Sequence, residues 1–193
     1  MSARDDVLFT ERLALEPITI AMIEAATTGE WARLEALSRA RGPSVRPGPE
    51  LFHRGFGWSI ERIRRNPEWR LWGDRLMIAR QGERRILGSV VFHGHPDEAG
   101  VAEIGYGVDE AVRGQGLATE AARACVAWAL EQPAVLSVMA TAHALNRASQ
   151  RVLEKVGMRR VGSREEPFGE LFLYSITRGD LQAFRPGHVV SAE

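Results

Sequence analysis

Apolar and polar positions change spacing along the chain and divide it into short strands and helices. Residues 8–16 set Leu8, Leu13 and Leu15 among polar neighbours and predict a first strand. Residues 19–39 carry helical spacing, predicted as two pieces broken near Gly29. Residues 42–49, GPSVRPGP, predict a loop, and 58–65 a further helix. From there the period shortens. Residues 75–80 and 86–93 predict two strands joined by a QGER turn, and 101–108 (VAEIGYGV) a third. Residues 116–130 predict a strong helix with apolar positions 117, 121, 124, 125 and 128, followed by a strand over 135–142. A helix over 146–156 stops at Gly157, and strands over 158–163 and 170–177 flank a turn at 167–169.

That order is mixed α and β: a meander, then β-α-β, then a helix and two more strands. A length of 193 residues suits a single domain, 1–193. The 45% hydrophobic and 26% charged residues are ordinary globular composition and exclude disorder along the whole chain.

Twenty-five basic residues balance 25 acidic ones, which argues against nucleic-acid binding through a broad basic face. The local run Arg62, Arg64, Arg65 reads as a solvated helix face. The lone cysteine, Cys125, rules out an internal disulfide, fits a reducing compartment, and sits among alanines and Val126 as a small core residue. The start, MSARDDVLFTERL, has acids where a signal peptide has bases. No run reaches the roughly 18 apolar residues of a membrane span. A soluble cytoplasmic protein with no membrane partner is expected.

The segment from Val108 to Glu120 changes the picture from fold to chemistry. An apolar strand runs through Arg113, Gly114, Gln115 and Gly116 straight into a helix beginning Leu117, Ala118, Thr119. Such a turn aims free backbone N–H groups and the positive end of a helix dipole at one spot, where an anion such as a pyrophosphate is held with few side chains. Gly114 and Gly116 permit close approach and Arg113 adds charge. A Walker-type Gly-Lys-Ser/Thr is absent, and the dinucleotide fingerprint would need glycine where Glu110 stands. A plain glycine turn before a helix is the alternative.

Arg113-x-x-Gly116-x-Ala118 resembles the Gln/Arg-x-x-Gly-x-Gly/Ala signature of the GNAT (Gcn5-related) N-acetyltransferases. Asn146-Arg147-Ala148-Ser149 followed by Val152-Leu153-Glu154-Lys155-Val156-Gly157-Met158 resembles the next motif of the family's RimJ/RimL-like branch. Thr10-Glu11-Arg12-Leu13-x-Leu15 resembles that branch's opening strand, and Glu103-Ile104-Gly105-Tyr106 the strand before the loop. Met158 stands where Phe is usual. Leu153 stands where many members carry a Tyr that protonates the thiolate; the RimJ/RimL-like branch suggests Ser149 instead.

The resemblance implies a GNAT acyl-CoA N-acyltransferase fold: α/β, a mixed, mostly antiparallel, splayed sheet flanked by helices. It implies transfer of an acetyl group from acetyl-CoA, as co-substrate, to a primary amine of a small molecule or protein N-terminus by direct attack. No metal is required, and a homodimer is compatible with the family. Tyr106 and Val108 would offer backbone groups to the pantetheine, and the residues from Arg113 to Thr119 would hold the pyrophosphate. Asn146 would bond the pantetheine amide, with a helix N-cap as its other role. Ser149 would face the sulfur. Glu103 would be the general base, or an ordinary strand carboxylate in a salt bridge. Gly105 and Gly107 fit a bulge or a close ligand approach, or merely relieve packing.

A catalytically silent acyl-CoA-binding module is the alternative function. His93 and His95 flank Gly94 in a turn with no third metal ligand evident, and His143 reads as a loop residue. Phe52, Phe56, Trp58, Trp69 and Trp72 read first as core and second as lining of an acceptor site.

Overall fold

The computed structural model describes residues 6–44 and 60–183. The chain forms one eight-stranded sheet, in the order β1-β2-β3-β4-β5-β6-β8-β7. The strands are β1 Leu8–Phe9, β2 Leu13–Pro17, β3 Asp74–Ala79, β4 Ile86–Phe92, β5 Val101–Val108, β6 Ser137–His143, β7 Arg159–Glu166 and β8 Gly169–Thr177. Helices α1 Ile20–Thr27, α2 Trp31–Ser38, α4 Leu117–Glu131, α5 Arg147–Val156 and α6 Arg178–Ala183 accompany it, with helical residues 60–65 as α3. Short 3-10 turns occupy Pro67–Trp72 and Glu110–Val112. Among the described residues, no helix is long and apolar enough to cross a membrane.

Every neighbouring pair of strands is antiparallel except β5 and β6, which are parallel and joined through α4. A parallel pair needs a crossover of this kind. The parallel ladder covers only Val101–Glu103 against Ser137–Met139, whereas β5 runs on to Val108 and β6 to His143. The two strands therefore part company halfway, and the sheet is splayed.

The two faces are covered by different helices. Leu13, Leu15, Met77, Val90, Phe92, Ala102 and Ile104 pack against the buried side of α4, which includes Leu117, Ala121, Cys125, Val126 and Ala129. The α5 residues Leu153 and Val156 join the same core with Val138, Ala140, Tyr174 and Ile176. On the opposite face, Leu76, Ile78 and Ile86 pack against Met22, Ile23, Ala26 and Leu34 of α1 and α2 and against Ile63. Full burial of each large apolar side chain contributes roughly 1.5–3 kcal/mol. Cys125 is sealed in the α4 core and burial pushes its thiol up to about 12. Arg64 and Arg65 pair with Glu24 and Glu61, as a solvated face would.

Most predicted elements stand where the spacing put them, including the break at Gly29, which has φ 73°. The single strand predicted over 8–16 is instead a hairpin. Thr10 turns the chain, its Oγ1 accepting from Leu13 N (3.0 Å), and β1 folds back on β2 with Leu8 opposite Leu15. The turn Pro67–Trp72 was not anticipated; Asn66 caps it by accepting from Glu68 N at 3.0 Å. Trp72 lies in the core against Phe92 and Trp128. Residues 45–49 of the predicted loop, residues 58–59 of the predicted helix, and Phe52, Phe56 and Trp58 lie outside the described residues.

Candidate functional site

The turn between β5 and α4 is built by local rules. Asp109 caps the Glu110–Val112 turn, its carboxylate accepting from Ala111 N at 3.1 Å. Gly114 (φ 78°) and Gly116 (φ 81°) then take the left-handed conformation that glycine adopts without strain. Gly116 is the N-cap of α4 and offers no side chain to the first turn, so the helix starts with its N–H groups uncapped. The loop is held from behind. Arg12 Nη1 donates to the Gln115 carbonyl (2.9 Å) and Arg12 Nε to Glu120 Oε2 (2.6 Å). Glu120 Oε1 accepts from Thr10 Oγ1 (2.6 Å) and Arg12 N (2.8 Å). Burial alone would push the Glu120 carboxyl up; Thr10 and Arg12 together hold it below its ordinary value.

In front of this loop lies a cleft of about 730 Å³. It is walled by the strand end Tyr106–Val108, by Arg113, Gly114 and the first turn of α4, and by one face of α5 that includes Asn146, Ser149 and Val152. Arg113, Arg151 and Lys155 bring positive charge to its rim. Glu103 O accepts from His93 N and Asp109 N donates to Leu87 O, so odd-numbered residues of this stretch turn their main chain toward β4. By strand alternation, Tyr106 and Val108 turn theirs toward the gap that β6 has left. Tyr106 Oη donates to the Ser149 carbonyl at 3.0 Å and lies 3.0 Å from Ser149 Oγ. Burial pushes the Tyr106 phenol up, so it stays protonated at neutral pH. Asn146 caps α5, with Oδ1 accepting from Ser149 N at 3.0 Å, and still lines the cleft.

The other face of β5 carries Glu103, Gly105 and Gly107. Glu103 Oε1 is 3.4 Å from His93 Nδ1, and both side chains are about half exposed. The imidazole beside Glu103 holds its carboxyl below the ordinary value, and Glu103, with help from Asp74, raises the imidazole. A Cβ on Gly105 would lie 3.3 Å from Val91 Cγ1 and 3.4 Å from His93 Nε2. Among the described residues, a Cβ on Gly107 would meet nothing within 4 Å. No register shift falls within the β4–β5 ladder, so neither glycine makes a bulge. The irregularity lies between β3 and β4 near Met77, across from Gly88. Gly105 lies tight against Val91 and in contact with the imidazole, and Gly107 faces none of the described residues.

Residues 12–159, more than half of the chain, match the family model described as an acetyltransferase (GNAT) domain. The chain belongs to the GNAT acetyltransferase family. It is 29% identical over 151 residues to the uncharacterized N-acetyltransferase YjdG of Bacillus subtilis (strain 168), covering 78% of this chain and 88% of that one. Its fold is that of RimL, a ribosomal L7/L12 alpha-N-protein acetyltransferase solved in complex with coenzyme A. The TM-score is 0.62 at 14% identity, over 89% of this chain and 97% of the other. The aminoglycoside enzyme AAC(6')-Ib, solved with ribostamycin and coenzyme A, gives a TM-score of 0.63 at 18% identity, over 92% and 99%. The GNAT chain is thus an acyl-CoA-dependent N-acetyltransferase with a mixed, mostly antiparallel open sheet.

Of the site residues expected in this GNAT chain, Tyr106, Val108, Arg113, Gly114, Gly116, Leu117, Ala118, Thr119, Asn146 and Ser149 come together on the cleft. Gln115 is not among its lining residues; its carbonyl is turned back to Arg12. Glu103 stands apart on the reverse face. The motif reading passed over Arg12 and Glu120 as the brace of the loop, Arg151 and Lys155 as rim cations, and His93 as the partner of Glu103. Arg12 and Glu120 lie within the matching motifs, but nothing in their spacing says that they meet.

Proposed function

We propose that the chain transfers the acetyl group of acetyl-CoA to a primary amine by direct attack within the cleft before α4. The observation that carries this is the junction of an uncapped helix start and an unpaired strand edge, with the Tyr106–Ser149 hydroxyl pair lining the same cleft. Acetyl-CoA supplies the activated acyl group and a thiol leaving group. The residues fit it: Gly114, Gly116 and the N–H groups of Leu117, Ala118 and Thr119 would take the pyrophosphate, with Arg113, Arg151 and Lys155 adding charge. Tyr106 and Val108 would bond the pantetheine along the gap, and Asn146 would add its free amide N–H groups. A main-chain N–H at the strand end would stabilise charge growing on the acyl oxygen.

Ser149 Oγ, held by Tyr106 Oη, donates a proton to the leaving sulfur and takes the second proton of the attacking nitrogen as the amide forms. Removal of the proton from the acceptor falls to the Glu103–His93 pair. The amine lone pair makes the C–N bond, the C–S bond breaks with its electron pair on sulfur, and the thiol and amide leave with one proton released. The acceptor is read as a small-molecule or protein N-terminal amine, by analogy with the aminoglycoside and ribosomal-protein enzymes that share the fold. Residues 1–193 are read as one domain acting in the cytoplasm, and a homodimer is compatible with it.

Calorimetry with acetyl-CoA comes first. Thiol release is then followed over a panel holding a polyamine, an aminoglycoside and a serine-initiated peptide. Binding with release on at least one amine supports the reading. Binding with no release on a wide panel points to a silent acyl-CoA-binding module, and a folded chain that binds no acetyl-CoA refutes the cleft assignment.

A further inference from the structure

We propose that His93, rather than Glu103, takes the proton from the acceptor amine, and that Glu103 is a positioning residue that holds the imidazole. This rests on the acetyl-transfer reading above and names the proton acceptor for it.

The placement of the two groups along β5 carries the argument. Glu103 sits opposite Met139, where β5 is still paired to β6. The His93 ring reaches from that carboxylate along the strand: Nδ1 is 3.4 Å from Glu103 Oε1, and Nε2 lies at the position of Gly105, 3.4 Å from where a Cβ would stand. Nε2 therefore points past Glu103 toward residues 106–108, the free stretch beside which the acyl group is expected. The ring rests in contact with the backbone at Gly105, and among the described residues nothing lies within 4 Å of a Cβ placed at Gly107. The His93 side chain is half exposed. A ring with its Nδ1 against a carboxylate favours the proton there and leaves Nε2 as the basic nitrogen.

The surroundings agree. The titratable groups facing His93 are Glu103 from β5 and Asp74 from β3, and both favour the imidazolium. His93, with a smaller pull from Arg164 of β7, holds the Glu103 carboxyl below its ordinary value, which makes it a poor base near neutral pH. His95, two residues on, is turned to Trp69 and Trp72, with Arg62 and Glu68 as its charged neighbours. In the step itself, an N–H bond of the acceptor ammonium breaks and its electron pair stays on nitrogen as the attacking lone pair. The proton joins Nε2. His93 passes from neutral to cationic, then returns the proton to water.

The test compares the wild-type chain with His93→Gln and Glu103→Gln at saturating acetyl-CoA from pH 5.5 to 9, using the panel amine that gives the fastest thiol release. Circular dichroism and acetyl-CoA calorimetry confirm folding and an intact cleft. The acceptor's own titration is common to all three proteins and cancels in the comparison. His93→Gln is expected to lower kcat by about 10²- to 10⁴-fold and abolish the rising limb assigned to the enzyme, with acetyl-CoA affinity unchanged. Glu103→Gln is expected to lose less and to shift that limb to lower pH. The His93 ring titration followed by NMR should move down by the same amount. A His93→Gln enzyme with normal kcat and pH profile beside an inactive Glu103→Gln enzyme overturns the proposal and leaves the acetyl-transfer reading standing. A wild-type chain that binds no acetyl-CoA, or acetylates no amine, overturns both.

Discussion

Asp74 offers a direct test of how the sheet treats charge. Its carboxyl lies at the head of β3, beside Ser89 and His93. Burial pushes it from an ordinary 3.8 up to about 7, against the pull of both neighbours. Between those two values the folded chain keeps a proton that the unfolded chain has lost, so stability falls as pH rises through this window. Below 3.8 both states are protonated and the group contributes nothing; above about 7 the full cost is present. A move from 3.8 to about 7 at about 1.4 kcal/mol per tenfold sets a ceiling of about 4 kcal/mol. Asp74 is not completely sealed from solvent, and screening brings the expected value to about 2 kcal/mol. Asp74→Asn should therefore match the wild type near pH 4 and exceed its unfolding free energy by about 2 kcal/mol at pH 8. Urea unfolding of both proteins at pH 4, 6 and 8 measures the difference. A pH-independent difference, or a variant less stable at pH 8, would refute the reasoning.

Three further outcomes follow from contacts already described. Arg12→Ala removes the bonds to Glu120 and the Gln115 carbonyl; acetyl-CoA affinity by calorimetry should fall about tenfold while kcat at saturation is largely kept. Ser149→Ala should lower kcat by about 10- to 100-fold with acetyl-CoA affinity within about twofold, and Tyr106→Phe should lower it less; a loss of affinity alone would contradict the proton-donor role. Gly88→Ala places a Cβ 2.1 Å from the Gly107 carbonyl oxygen at φ 150°, and thermal unfolding should show a loss of more than about 2 kcal/mol or no soluble protein.

Elements with strong local signals were legible in the sequence. The α4 pattern, the glycine turn before it and the stop at Gly157 each follow from residues next to one another. The first hairpin shows a signal that was there to be read: Leu8 is even and Leu13 and Leu15 are odd, so one unbroken strand would put them on opposite faces. The 3-10 turn likewise announces itself in Asn66-Pro67. What spacing does not reveal is the pairing of distant segments. Glu103 meets His93 because β4 and β5 share a register, and Arg12 meets Glu120 across 108 positions. Charge at the cleft rim was only half legible, since Arg151 and Lys155 become neighbours of Arg113 once α5 docks.

The bonds of Arg12 make the N-terminal hairpin and the glycine loop a single mechanical unit. β1 and β2 lie at the far edge of the sheet, and the turn between them grips the loop through the Gln115 carbonyl and Glu120. Any ligand that settles on the loop is thereby linked to the docking of the first strands. By mass action, occupancy must slow local opening there, and amide exchange at residues 10–15 becomes a remote reporter of an event at the start of α4. Truncation of the N-terminus, far from the chemistry in sequence, would be felt as a change in ligand affinity.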